Sequence, residues 1–167
     1  MRPGRIFAAA LLFAGPASSV RAETQYLTEV TSDVYAQPGS PLELATKGAT
    51  CIARNLAPGV QGGQLIVSDD RADGVIVANN VVRYSDGLLA WEIRSTFTFE
   101  ARADRFRIDQ TKIERISDTH TMYDVGPDEW GPVGKWFGSG WSKAQDALVA
   151  SADLVAGCVK SGAANNW

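Results

Sequence analysis

The chain has little of what the common catalytic and metal sites are built from. It contains one histidine, His120, and two cysteines, Cys51 and Cys158, among 167 residues. A structural zinc site needs about four such ligands, and a serine or cysteine nucleophile needs a histidine within reach. The Gly-x-Ser-x-Gly turn of many serine hydrolases does not occur either. We therefore expect no metal and no cofactor, and a non-enzymatic role is the leading hypothesis.

Long apolar runs are also missing, apart from one at the N-terminus. Residues 6–14 are nine consecutive apolar residues that follow two arginines, and small residues lead on to Ala22. Nine residues make a helix of about 13 Å, whereas a spanning helix must cross about 30 Å of hydrocarbon. The pattern is typical of a cleavable secretory signal. We expect removal of residues 1–22 and a periplasmic or secreted mature chain, 23–167, without a membrane span.

Basic charge is sparse in this mature chain and is not clustered. Cleavage removes Arg2, Arg5 and Arg21, which leaves 13 basic and 19 acidic residues and a net charge of −6. An acidic domain repels phosphate backbones and anionic lipid head groups. We expect no nucleic acid as a partner. The partner is predicted only as an unknown protein or envelope ligand.

The two cysteines remain after cleavage, and their number is even. In an oxidising compartment an isolated pair usually forms one disulfide, so Cys51–Cys158 is the expected bond. Two separate buried thiols are the alternative, because a sequence shows no geometry.

Two segments have the pattern of amphipathic helices. Ser40-Pro41-Leu42-Glu43 contains a capping box with proline at the first helical position, and Pro58-Gly59 ends that helix. A second helix is predicted over 141–160. The side of the first helix predicted to be buried contains Leu42, Ala45, Ala49, Ile52, Ala53 and Leu56. The corresponding stripe of the second contains Ala144, Ala147, Leu148, Ser151, Leu154, Val155 and Cys158.

The remaining periodic segments alternate apolar and polar residues, as strands do. They are residues 25–31, 65–67, 75–84, 89–100 and 106–116, and a bulge is predicted near residues 109–110. The strand 89–100 has one apolar and one polar face, which is typical of an antiparallel sheet covered on one side. The fold class predicted is α+β, a single sheet of four or five antiparallel strands with both helices on one face.

Several short segments in this order resemble a known family. They are Cys51-Ile52-Ala53-Arg54-Asn55-Leu56, Leu65-Ile66-Val67-Ser68-Asp69-Asp70, Gly74-Val75-Ile76-Val77-Ala78-Asn79, Trp91-Glu92-Ile93-Arg94 and Asp104-Arg105-Phe106-Arg107-Ile108. Over residues 24–116 this layout is similar to an exported bacterial domain family of unknown function with a TATA-box-binding-protein-like fold. Many members carry a tryptophan where this chain has Cys51-Ile52. The resemblance implies a fold, a curved antiparallel sheet backed by helices, and no reaction.

Two groups of polar residues invite a catalytic or metal interpretation. His120 lies near Asp118 and Asp124, so a small hydrolase using one of these carboxylates is an alternative function. Asp69, Asp70 and Asp73 lack the alternate ligand spacing of a calcium loop, and we interpret them as a solvated turn.

The aromatic residues of the loop 117–140 are the most suggestive candidates for binding. Trp130, Trp136 and Phe137 lie among glycines, and rings on such a loop can stack on a sugar or anchor a protein partner. The alternative is packing over the open end of the core, which we favour for Trp141 at the start of a helix. The sequence thus predicts a non-enzymatic binding module of the bacterial envelope, with the hydrolase and a purely structural envelope protein as alternatives.

Overall fold

The computed structural model describes residues 25–117 and 129–162. The predicted signal segment 1–22 and the candidate residues Asp118, His120 and Asp124 lie outside these ranges. The two helices are α1 (Pro41–Leu56) and α2 (Trp141–Ser161). The strands are β1 (Glu29–Thr31), β2 (Tyr35–Ala36), β3 (Ile66–Asp70), β4 (Val75–Asp86), β5 (Leu89–Arg102), β6 (Arg105–Ser117) and β7 (Gly131–Pro132).

The first helix begins where the sequence predicts it. The Ser40 hydroxyl accepts from the backbone N–H of Glu43 at 3.3 Å, and the Glu43 carboxylate accepts from the backbone N–H of Ser40 at 2.8 Å. These hydrogen bonds from the Ser40 backbone and side chain hold the pKa of Glu43 below its ordinary value. The capping box is therefore confirmed.

The strands form one antiparallel sheet in the order β1-β6-β5-β4-β3. It contains seven strands, so the prediction of four or five is too low. The predicted strand 25–31 is present as β1, and the two strands that were not predicted, β2 and β7, are short; each of the three pairs with a different part of β6. Two residues are too few to show a period of two, and β2 and β7 form because β6 offers them backbone partners.

The predicted bulge exists, but at a different position. Arg94 of β5 pairs with Glu114 of β6, and Thr96 pairs with Thr111, so β6 holds an extra residue between these pairs. Lys112 has a φ of +52° and is exposed. Because Lys112 is bulged out of the strand, the alternation of β6 shifts by one residue, and Gln110 and Ile113 both face the core. The predicted position near residues 109–110 is wrong. A polar residue at position 110 suggested that the strand changes face there, but Gln110 is a polar residue that is buried in the core.

Both helices pack on one face of the sheet, as predicted, and we call the opposite side the outer face. Their buried stripes are rotated from the predicted ones. Leu42 and Leu154 are 53% and 61% exposed, and Ala53 is exposed, whereas Gly48, Ala152 and Ala156 are buried. Small residues let the helix backbones approach the sheet: a Cβ added to Gly48 would lie 2.8 Å from the ring of Phe99. The prediction that Leu42 and Leu154 are buried is therefore wrong, because it used side-chain hydrophobicity alone.

The helices are joined by the Cys51–Cys158 disulfide, which confirms that prediction. Cys51 of α1 is fully buried, and the two Cα atoms are 5.8 Å apart, within the usual range for a disulfide. The bond links positions 107 residues apart, and the chain segment that it closes contains the strands β3 to β7.

A second connection between sheet and helix is polar. Asn80, Ser95 and Gln110 come from β4, β5 and β6, and each is at least 95% buried. The Gln110 carbonyl oxygen accepts from Asn80 and Ser95, both at 2.8 Å, and its amide donates to the carbonyl oxygen of Leu148 in α2 at 2.7 Å. This buried network lies between the two apolar clusters of the core.

Candidate functional site

The three aromatic residues proposed for binding have different surroundings. Trp130 lies against the outer face of the sheet, where the guanidinium of Arg94 stacks 4.4 Å from the centre of its ring. Arg94 also forms an ion pair with Glu114 at 2.6 Å. The indole of Trp130 thus has an intramolecular partner and is partly covered.

Trp136 and Phe137 lie at the end of a loop and are exposed. Phe137 is fully exposed and Trp136 is 51% exposed. The indole of Trp136 meets the ring of Tyr26 edge-on at 6.3 Å between centroids, and its other face covers Gly134. A Cβ at Gly134 would lie 1.6 Å from this indole, so only glycine allows the ring to take this position.

The base of this loop is held by backbone and side-chain hydrogen bonds. The N–H of Lys135 donates to the carbonyl oxygen of Gln25, and the N–H of Leu27 to that of Val133, both at 2.7 Å. The buried Ser139 hydroxyl lies 2.6 Å from the carbonyl oxygen of Gly134 and 2.8 Å from that of Trp136. The two exposed rings are therefore carried on a closed turn with a fixed base.

Arg115 joins this turn to the sheet. Its guanidinium donates to the carbonyl oxygen of Ser139 at 2.5 Å, lies 3.4 Å from the hydroxyl of Tyr84, and stacks 4.4 Å from the centre of the Trp91 ring. Burial raises the pKa of Tyr84 above its ordinary value, and the positive charge of Arg115 opposes this shift. The Tyr84 hydroxyl is therefore protonated at neutral pH.

We expect Arg115→Met to free the loop from the sheet and to lower the free energy of unfolding by about 1–3 kcal/mol, because a charged hydrogen bond and a cation–π contact are lost. Hydrogen exchange at the Ser139 N–H should accelerate in the same variant. Arg54→Met, at an exposed position of α1, is the matched control. Equal stability of the two variants would contradict the role given to Arg115.

A further exposed apolar residue lies at the same end of the molecule. Leu88, in the turn between β4 and β5, is 99% exposed. The neighbouring Asp86 carboxylate packs against Gly140, since a Cβ there would lie 2.2 Å from its oxygen. We call Leu88, Trp136 and Phe137 together the apolar tip. The sequence analysis missed Leu88, although an apolar residue directly after Gly87 in a tight hairpin is an available signal.

The outer face of the sheet is polar, and its charges are largely paired. Arg83 contacts Glu92 at 2.8 Å, and Arg94 contacts Glu114 at 2.6 Å. Among the residues that the structure describes, no group of three or more histidine, cysteine or acidic side chains is placed to hold a metal ion. Within the same residues, neither helix is long and apolar enough to cross a membrane.

Comparison with known proteins identifies the architecture. No family model matches the sequence, and no curated protein matches it. A solved structure of a TBP-like protein from Parabacteroides distasonis superimposes with a TM-score of 0.58, over 82% of this chain and 92% of that one. The fold is TATA-box-binding-protein-like. A second structure of this kind, from the DUF4468 family of Bacteroides ovatus, gives a TM-score of 0.57 over 83% of this chain and 88% of that one.

Sequence identity is 11% to the TBP-like protein and 16% to the DUF4468 family protein. At that level the similarity establishes the fold alone, and it agrees with the resemblance noted for residues 24–116. The similarity extends beyond this segment, because more than four-fifths of the chain superimposes in each case. One of these proteins belongs to a family of unknown function and the other is described only by its fold, so no reaction is carried over from them.

Proposed function

We propose that this chain is an exported, non-enzymatic binding module that engages a protein of the bacterial envelope through the apolar tip. Residues 1–22 act as the signal in this proposal, and 23–167 form one domain. The observation that carries it is the complete exposure of Phe137 beside the half-exposed Trp136. A disulfide between the helices supports an oxidising destination, the periplasm or the medium.

The fixed base of the loop favours recognition over accidental exposure. Exposed aromatic rings are unfavourable in water, and they dominate the binding energy where they enter an apolar pocket of a partner. A ring held in position before binding loses little conformational entropy when it is bound. Trp136 is held by Tyr26 and Gly134, so its ring has a defined orientation, and Phe137 follows it directly along the chain.

The chemistry of the tip indicates the kind of partner. Its three exposed side chains are apolar and few, which suits a concave apolar pocket on a protein better than an extended surface. The acidic balance of the mature chain disfavours attraction to anionic lipid. Trp130 is assigned to packing in this proposal, because Arg94 already occupies one face of its ring.

The test uses the mature chain with a photo-crosslinking phenylalanine analogue at position 137, and the same analogue at 154 as the control. Leu154 is an exposed apolar residue of α2, away from the loop. We expect a partner that is crosslinked from 137 and not from 154. With that partner purified, Phe137→Ala should weaken binding at least about tenfold, whereas Leu154→Ala should have no effect.

The melting temperature distinguishes contact from packing. Phe137→Ala should leave it unchanged, because the ring is fully exposed. A large decrease would assign Phe137 to the core, and equal binding by the two alanine variants would overturn the proposed contact. Saturable binding to zwitterionic phospholipid vesicles, with a blue shift of Trp136 fluorescence, would instead indicate a membrane surface as the target.

A further inference from the structure

A second unusual surface lies at the opposite end of the sheet from the apolar tip. β5 connects the two ends, and its 14 residues span about 46 Å. At its far end an open cavity of about 240 Å³ lies beside the β5–β6 hairpin, lined by Val34, Glu100, Arg102, Arg105, Phe106 and Arg107. We call this the arginine cleft. It shares no residue with the proposed contact surface.

The register of the hairpin places like charges side by side. Arg102 lies directly opposite Arg105, and Glu100 lies opposite Arg107. Like charges facing each other across an antiparallel pair are destabilising. Elsewhere on the outer face, Arg83 pairs with Glu92 and Arg94 with Glu114, one cation to one carboxylate.

The carboxylates near the cleft are engaged by partners other than Arg105. Glu100 forms ion pairs with both Arg102 and Arg107, and Arg107 also contacts Asp109 at 3.1 Å. Asp104, in the turn itself, accepts a hydrogen bond from the N–H of Gly39 at 3.0 Å. Among the described residues, Arg105 has no ion pair.

The guanidinium of Arg105 indicates what would complete the site. Arg102 and Arg107 both contact the carboxylate of Glu100, whereas Arg105 has no ion pair among the described residues, so a bound carboxylate would give it a partner. The planar guanidinium fork also matches a carboxylate with two parallel hydrogen bonds. Val34, 62% exposed at the rim, offers an apolar contact to whatever carries that group.

We propose that the arginine cleft binds a carboxylate, with Arg105 and Arg102 donating to its oxygens and Val34 contacting the adjoining apolar group. Free organic acids and the C-terminal carboxylate of a peptide share this chemistry. In either case the bound anion relieves the repulsion between the two facing arginines. This site is independent of the apolar tip.

The experiment titrates the ¹⁵N-labelled mature protein with four probes and follows the backbone amides of residues 100–107. The probes are acetate, the tripeptide Ala-Ala-Leu, the same tripeptide with an amidated C-terminus, and inorganic phosphate. We expect saturable shifts with a carboxylate probe and none with the amidated tripeptide. Tighter binding of the tripeptide acid than of acetate would identify a chain terminus, and equal binding a free acid.

Variants test the role of the unpaired guanidinium. Arg105→Gln should weaken binding at least about tenfold, since a charge-assisted hydrogen bond is lost, whereas Arg54→Gln on α1 should leave it unchanged. The melting temperature of unliganded Arg105→Gln should equal or exceed that of the wild type, because one of two facing like charges is removed. Shifts of equal size with the acid and the amide, tighter binding of phosphate, or equal effects of the two variants would each overturn the proposal.

Discussion

Replacing both Cys51 and Cys158 by alanine is expected to lower the free energy of unfolding by about 4–5 kcal/mol. The bond closes a loop of 107 residues, and closing a loop of that length removes a large part of the conformational entropy of the unfolded chain. For a domain of this size the melting temperature should fall by about 10–20 °C. Thermal and urea unfolding of the oxidised wild type and the double variant measure both quantities.

Reductant supplies the control for this prediction. Dithiothreitol should lower the stability of the wild type and leave the alanine variant unchanged. Protein recovered from the periplasmic fraction should begin after Ala22, and its two sulfurs should resist alkylation until they are reduced. Recovery of the unprocessed chain with both thiols reactive would contradict the proposed export, and equal stability of oxidised and reduced protein would contradict the structural role of the bond.

Gln110→Leu is expected to lower the free energy of unfolding by about 2–4 kcal/mol. The leucine fits the apolar surroundings, but Asn80 and Ser95 lose their common acceptor, and both side chains are buried. A buried polar group without a partner is more unfavourable than the hydrogen bond was favourable. Gln64→Leu, the same chemical change at an exposed position, should alter stability by less than about 0.5 kcal/mol.

A combined variant separates the loss of hydrogen bonds from the loss of packing. The buried network also includes Ser151 of α2, whose hydroxyl accepts from the Asn80 amide at 2.9 Å. Changing Asn80 to valine and Ser95 and Ser151 to alanine, together with Gln110→Leu, removes all four of these polar side chains, and stability should recover towards that of the wild type. The carboxamide oxygen of Asn80 has no hydrogen-bond partner among the described residues, which favours that recovery. If the fourfold variant is as unstable as Gln110→Leu alone, loss of packing rather than loss of hydrogen bonds explains the effect.

The long elements were predictable because their signals are local. The capping box at Ser40 and Glu43 is contained within four residues, and the alternation along β5 repeats often enough to define its two faces. The disulfide was also predicted from the number of cysteines in a chain expected to be exported. The predicted fold class was confirmed on this basis, with helices on one face of an antiparallel sheet.

The short strands and the helix faces were not predictable to the same degree. β2 and β7 are two residues each and exist only because β6 offers them backbone partners. Leu154 faces solvent, while Ala152 and Ala156 face the sheet, since steric fit at close approach outweighs side-chain hydrophobicity there. Gln110 occupies a core position because its partners come from three other elements.

The sequence by itself predicted the order of the long elements, the α+β class, the disulfide and the set of aromatic candidates, because each depends on residue type and on spacing along the chain. Only the tertiary structure decided which rings face solvent, that Leu88 is exposed as well, and that Arg105 shares a cleft with two other arginines without an ion pair of its own among the described residues. These properties depend on the register between strands and on contacts between residues far apart in the chain, which a pattern along a single segment does not contain.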